Sequence, residues 1–277
     1  MAIVRDLHRL RSYQRASWEA RQNGCKRFVE QWHRRAGKDR TWMSITCMEA
    51  LKTRGVYIHI LQTLGEARRA VWDNLIDDYY DGVKHSYKMI DACFPPELRV
   101  GKPNETEMSI ELKGGSIWQL AGAESQDAID RLRGPNPTGI VCSEYPFFQY
   151  DPWPVLSPVL AENGGWIAFI STPKMEGDNF DKLFNLAQTD PKWFAQKLTV
   201  EDTRRDGVGE DGSYVVPLKE IAEMRKANIT EVEIQREYYC STKGYMHGTI
   251  YGDVIAQAEA SKHIGHFPYI PQLPVGV

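Results

Sequence analysis

Apolar residues fall along this chain with two periods, and the switches between them mark out the elements. Residues 55–61 (Gly-Val-Tyr-Ile-His-Ile-Leu), 138–145 and 165–173 are nearly unbroken apolar runs bounded by glycine, proline or polar residues. That is the pattern of strands covered on both faces, as in parallel sheets. Residues 26–32 (Lys-Arg-Phe-Val-Glu-Gln-Trp) and 193–200 have shorter strand character. Elsewhere the period lengthens. Trp42, Ile45, Met48 and Leu51 recur three apart, which predicts a helix over 40–52. Residues 5–23 predict an amphipathic helix or helix pair with Leu7, Leu10, Tyr13 and Trp18 on its apolar side, and residues 64–80 predict a helix with Ala67, Val71, Leu75 and Ile76 inward. Residues 81–105, with Pro95-Pro96, are expected to be irregular. A hairpin is expected from 107–112 and 116–120 across Lys113-Gly114-Gly115. Short helical pieces are expected over 121–132, 155–160, 180–187 and 217–227, and a further helix opens at Thr230 with a capping box to Glu233. Strands alternating with helices predict an open α/β fold with a mostly parallel sheet.

Composition narrows the class. At 277 residues the chain has room for one large domain or a core with a satellite. We place a core at 1–215, a small helical appendage or lid at 216–265, and a proline-rich linker at 266–277. No apolar run is long enough to span a bilayer, and the first residues are too charged for a signal peptide. Cys25, Cys47, Cys93, Cys142 and Cys240 are scattered without a C-x-x-C pair, which argues against a zinc site and fits a reducing compartment. Net charge is −3, yet residues 1–54 carry 13 Lys/Arg against 5 Asp/Glu. Such a local excess can meet the phosphates of a nucleotide or a nucleic acid, or be a solvated face.

The chemistry concentrates in Trp32-His33-Arg34-Arg35-Ala36-Gly37-Lys38-Asp39, set between a strand and a helix. That is the context a phosphate-binding loop requires. Backbone N–H groups and the helix dipole would favour an anion, with Lys38 on its β- and γ-phosphates. The pattern departs from the standard loop twice. Trp32 stands at the first glycine position, and Asp39 where a Ser or Thr usually ligates magnesium. Upstream, the Gln14 amide offers a donor and an acceptor that suit an adenine edge or, equally, a wet surface.

A second candidate is Glu144, at the end of the apolar run Ile140-Val141-Cys142-Ser143. A carboxylate at the C-terminal end of a buried strand is where open α/β sheets place their sites, although strand-end glutamates are also common surface residues. Ser171-Thr172-Pro173 closes the next strand with hydroxyls able to bond a γ-phosphate or a water, or simply to form a turn.

Taken in order, these residues resemble the ATPase region of the large terminase subunit of tailed bacteriophages, the motor that packs DNA into capsids. Tyr13-Gln14 looks like its adenine-contacting Q motif, and Arg34-Arg35-Ala36-Gly37-Lys38-Asp39-Arg40 like its arginine-containing phosphate loop. Leu132-Arg133-Gly134 is similar to the Arg-Gly element ahead of the acidic strand. Ile140 to Tyr145 looks like Walker B with the catalytic glutamate, and Ser171-Thr172-Pro173 like the motif that couples hydrolysis to movement.

The resemblance implies a P-loop NTPase of the additional-strand, catalytic-glutamate type, binding ATP and Mg2+. Catalytic roles fall to Lys38, Glu144, Arg34 and Arg133, the last as a finger into a neighbouring subunit or as a structural salt bridge. Nucleotide contacts fall to Tyr13, Gln14 and Arg34 through Arg40. Ser143 stands in the usual aspartate place, so Asp39 and Ser143 are expected to have exchanged carboxylate and hydroxyl at the metal beside Glu144. Implied partners are double-stranded DNA, the portal protein, the small terminase subunit and further copies in a ring, in the host cytoplasm and away from membranes. The family's nuclease domain has no counterpart in this sequence. The alternatives are a helicase-like motor and a non-hydrolysing DNA- or portal-binding scaffold.

Overall fold

The computed structural model describes residues 10–80, 83–205 and 214–243, together with 258, 261 and 263. Leu7, most of the 204–214 loop, most of the appendage beyond 243 and the 266–277 segment lie outside the described residues.

Seven strands form the central sheet: β1 (Arg27–Trp32), β2 (Val56–Leu61), β5 (Ser109–Glu111), β6 (Ile117–Gly122), β7 (Gly139–Ser143), β8 (Trp166–Ser171) and β9 (Trp193–Leu198). Their order is β5-β6-β2-β7-β8-β1-β9. Every pairing is parallel except β5 with β6, the expected hairpin at one edge. The strand β8 is inserted between β1 and β7, so the loop after β1 and the end of β7 flank the end of β8. Among the helices, α1 is Arg15–Gln22, α2 Lys38–Lys52, α3 Leu64–Ala67, α4 Met89–Cys93 and α5 Gln126–Arg131, followed by α6 Trp153–Asn163, α7 Asn179–Thr189, α8 Leu218–Lys226 and α9 Glu231–Tyr239.

The unbroken apolar strands have a direct cause. Side chains alternate across a strand, and here both faces are dry. On β8, Trp166, Ala168 and Ile170 enter one core while Ile167 and Phe169 enter the other. On β7, Val141 joins the first and Ile140 and Cys142 the second. The first core is aromatic: Trp42 of α2 lies 4.8 Å from Phe28 and 5.5 Å from Trp166, and Phe94 packs 4.6 Å from Trp118. Gly139 makes the close packing possible, since a Cβ there would fall 2.4 Å from the Trp166 ring. One acid is caught inside. Glu30 is fully buried on β1, where Oε2 accepts the Trp42 Nε1–H at 2.8 Å. Burial pushes its carboxyl up to about 7, against the Ser17 hydroxyl and the Trp42 bond.

One predicted helix is corrected. The 64–80 segment is helical only through Ala67, makes a π turn over Arg68–Trp72 and then leaves the helix. Leu75 is 66% exposed instead of inward. Residues 75–80 and 83–88 pair as an antiparallel hairpin, β3 (Leu75–Tyr80) with β4 (Val83–Lys88). The β-branched and aromatic residues of both runs, with Asp81-Gly82 between them, carry that preference. The 81–105 stretch thus holds β4 and α4 rather than being irregular throughout.

Candidate active site

The chain leaves β1 and turns through His33-Arg34-Arg35-Ala36-Gly37 into α2. Two residues in left-handed conformation make the turn, Arg35 at φ +74° and Gly37 at φ +81°. Gly37 is required there, since it has positive φ and a Cβ would come within 3.2 Å of Gln14 Nε2. The loop is pinned from three sides. His33 N–H donates to the Leu198 carbonyl at 2.9 Å, and Arg34 N–H donates to the Glu237 carbonyl at 2.7 Å. From below, Tyr13 Oη and Gln14 Nε2 both donate to the Ala36 carbonyl, at 2.9 and 3.1 Å, while Gln14 Oε1 accepts the Arg11 N–H at 3.0 Å. Both side chains are buried and brace the loop.

Lys38, the first residue of α2, is 7% exposed and donates to the Trp32 carbonyl at 3.3 Å. Its Nζ stands 3.9 Å from Glu144 Oε1. Glu144 follows β7 in the left-handed region at φ +56°, uncommon for a non-glycine residue. Ser171 Oγ, buried at the end of β8, donates to Glu144 Oε2 at 2.7 Å. Burial raises the Glu144 pKa, opposed by Lys38 and the Ser171 bond and assisted by Asp39 and Glu237. Thr172 and Pro173 are buried beside Ser171.

Asp39 follows Lys38 with its side chain 28% exposed. Oδ1 lies 3.0 Å from Nε2 of His59, a fully buried residue of β2. Burial would raise the Asp39 carboxyl, but His59, the Ser143 hydroxyl and Lys38 outweigh it, and its pKa falls below the ordinary value. Ser143 is fully buried, and its hydroxyl closes no hydrogen bond of ordinary geometry.

The arginines are distributed differently. Arg34 is 64% exposed and pairs with Glu237 of α9 at 3.7 Å. Arg35 is exposed beside it, and Arg40 sits one turn into α2. Arg133 stands apart from this cluster, paired with Asp130 at 2.8 Å on the connection leading to the N-terminal start of β7.

Three participants lie outside the motifs: Glu237, Thr203 and His59. Glu237 comes from a distant helix, and Thr203 Oγ1 holds the buried His33 Nε2 at 2.6 Å. His33 is kept neutral, its pKa pushed down to about 4 chiefly by burial. His59 alone had a signal: an ionisable side chain in an otherwise apolar strand, which has to find a partner. Among the described residues no group of three or more His, Cys, Asp or Glu converges as a metal cage.

No family model matches the sequence, nor does any curated protein. Solved structures do match. The large terminase ATPase domain of Thermus phage P74-26 is similar over 85% of this chain and 95% of that one, with TM-score 0.56 and 18% identity. The large terminase of the thermophilic bacteriophage D6E matches over 85% of this chain with TM-score 0.62 and 14% identity. Its complex with ATP-gamma-S gives TM-score 0.61 over 84% of this chain, also at 14% identity. This chain spans about half the length of the D6E protein, 54% in the first case and 53% in the second. The chain therefore has the fold of large terminase ATPase domains, with a mostly parallel seven-stranded sheet.

Proposed function

We propose that this chain is an ATP-hydrolysing motor domain that drives double-stranded viral DNA into a procapsid. One observation carries the reading. The lysine of a Gly-Lys loop and a strand-end glutamate, 106 positions apart in sequence, meet at 3.9 Å across the end of an inserted strand whose serine holds the glutamate. A cation for phosphate beside a carboxylate for water is what phosphoryl transfer to water needs.

In this reading the N–H groups at the start of α2 and the Lys38 ammonium receive the β- and γ-phosphates. Incoming phosphate draws Lys38 off Glu144, leaving the carboxylate to take a proton from the attacking water. A raised pKa suits it as a base, because proton transfer is most effective when the base titrates near the working pH. Ser171 aims that carboxylate, and Ser171-Thr172-Pro173 is placed to pass its movement to the rest of the domain. Arg34 and Arg35 lie on the loop within reach of phosphate, while Arg133, on the far side, suits a contact with another copy in a ring. Tyr13 and Gln14 set the loop's shape, and with it the approach of the base.

Magnesium fits the residues present. Asp39 offers a hard, partly exposed carboxylate at the helix start, and Ser143 an adjacent buried hydroxyl without a closed hydrogen bond. One or two carboxylates plus substrate phosphates is how Mg2+ is commonly held. When bound, it neutralises charge on the transferring phosphoryl group. Asp39 and Ser143 would keep one carboxylate and one hydroxyl at the metal with their positions exchanged.

DNA, the portal, the small subunit and a ring of copies are the partners this function requires, with DNA gripped through its phosphates. Residues 216–265 would then act as the lid and 266–277 as a linker. The test is ATP binding and steady-state hydrolysis with magnesium, wild type beside Lys38→Ala and Glu144→Gln. The first variant should lose binding, and the second should keep binding but lose turnover. Substantial turnover in Glu144→Gln would overturn the assignment.

A further inference from the structure

We infer that His59 is the positioning residue for the magnesium ligand Asp39, a part played from inside the sheet by a residue outside the phosphate loop. This rests on the proposed metal role of Asp39 and deepens it. Three observations support it. His59 sits on β2, second neighbour of the inserted strand, with a side chain wholly out of solvent. Its ring is steadied edge-on by Trp118, with centroids 6.4 Å apart. Its Nε2 meets Asp39 Oδ1 at 3.0 Å, a strong hydrogen-bond distance. A carboxylate oxygen facing a ring nitrogen at this distance takes the accepting part, so Nε2 carries the hydrogen.

The tether matters because of the residue it holds. A Ser or Thr at position 39 would present its hydroxyl from a short, restricted side chain. Aspartate has a further atom and a free terminal torsion, so without a tether its two oxygens would exchange places. The His59 bond occupies Oδ1 and leaves Oδ2 as the oxygen open to the metal. A donor behind a metal-binding carboxylate fixes its orientation, and loss of such a donor commonly costs about 10–100-fold in metal affinity. The charge of Asp39 and the donor on β2 thus form one device.

The test measures metal binding apart from turnover. The full chain is loaded with a non-hydrolysable ATP analogue and titrated with Mn2+ monitored by electron paramagnetic resonance, and nucleotide affinity is measured with and without Mg2+. His59→Ala should weaken Mn2+ by about 10–100-fold and leave metal-free nucleotide affinity unchanged. His59→Gln, whose amide nitrogen is as many bonds from Cβ as Nε2, should restore most of the loss; His59→Asn, one atom shorter, should not. In an Asp39→Ala background His59→Ala should add nothing. Wild-type Mn2+ affinity in both His59→Ala and His59→Asn would overturn the inference while leaving the nucleotide site standing. Wild-type Mn2+ affinity in Asp39→Ala would remove Asp39 from the metal, and failure of the wild type to bind nucleotide would remove the site itself. Should His59→Ala not fold, the Gln and Asn pair alone decides.

Discussion

Glu30 provides a quantitative test of the core that carries the loop between β1 and α2. Its carboxyl is fully buried on β1, two residues before Trp32, with one oxygen bonded to Trp42 Nε1 and the other closing no hydrogen bond of ordinary geometry, beside the Ser17 hydroxyl. Burial raises its pKa from 4.5 to about 7. The folded value lies above the unfolded one, so the group's contribution to stability is complete below pH 4.5 and is lost as pH rises toward about 7. At 1.36 kcal/mol per unit, a rise of this size corresponds to about 3 kcal/mol lost across that window. Glu30→Gln keeps the shape and an oxygen for Trp42 but cannot ionise. It also places an NH2 where the second oxygen was, near Ser17, which returns part of the gain. The variant should be more stable than wild type at pH 8 by about 1–3 kcal/mol and should lose that advantage by pH 4.5. Urea denaturation of both proteins at pH 4.5, 6, 7 and 8 measures the difference directly. Parallel pH profiles would refute the reasoning, because they would mean that Glu30 binds its proton equally in the folded and unfolded chain.

Two further outcomes are expected. Ser171→Ala removes the bond that holds the Glu144 carboxylate down, so the acid limb of the pH–rate profile should move to higher pH, with turnover falling more at pH 6 than at pH 8.5; profiles that merely scale would show that Ser171 does not act through Glu144. Gly139→Ala would drive a methyl to 2.4 Å from a Trp166 ring already packed by Trp42 and Tyr57, and should cost about 1–3 kcal/mol or more of stability, read as a lowered melting temperature; an unchanged melting temperature would show that the sheet yields there.

Most of the fold was legible because its central strands have no wet face. Runs such as 165–173 can sit only between two apolar layers, and the helices between them supply those layers. The failure at 64–80 has an equally local cause. Ala67, Val71, Leu75 and Ile76 fit a helical stripe, and Val71 and Trp72 do enter the core, but the π turn shifts the phase and Leu75 faces water. Beyond that turn the β preference of 75–80 has a partner strand within reach, and pairing overrides the stripe. A period counted in residues cannot register one extra residue in a turn.

The site divides along the same line. That Lys38, Glu144 and Ser171 come together was legible because Glu144 and Ser171 close parallel strands and Lys38 opens the helix that follows another, and such sheets bring these ends to one edge. Glu237, Thr203 and His59 were not, because their roles depend on which side chains meet across elements far apart in sequence. Asp39 shows why a pattern can mislead. A motif specifies a hydroxyl at one position and a carboxylate at another, whereas a metal requires only that both oxygens reach the same place. Asp39 and Ser143 lie close enough for the hydroxyl to lower the carboxyl's pKa, so the proposed exchange would preserve the donor set while breaking both signatures. The proposed exchange would bring a new requirement, since a longer side chain on the loop would have to be held. The donor that holds it is on β2, in a strand the pattern never inspects. Under the proposed exchange, positions 59 and 39 would act as one unit, joined by the bond between His59 and Asp39.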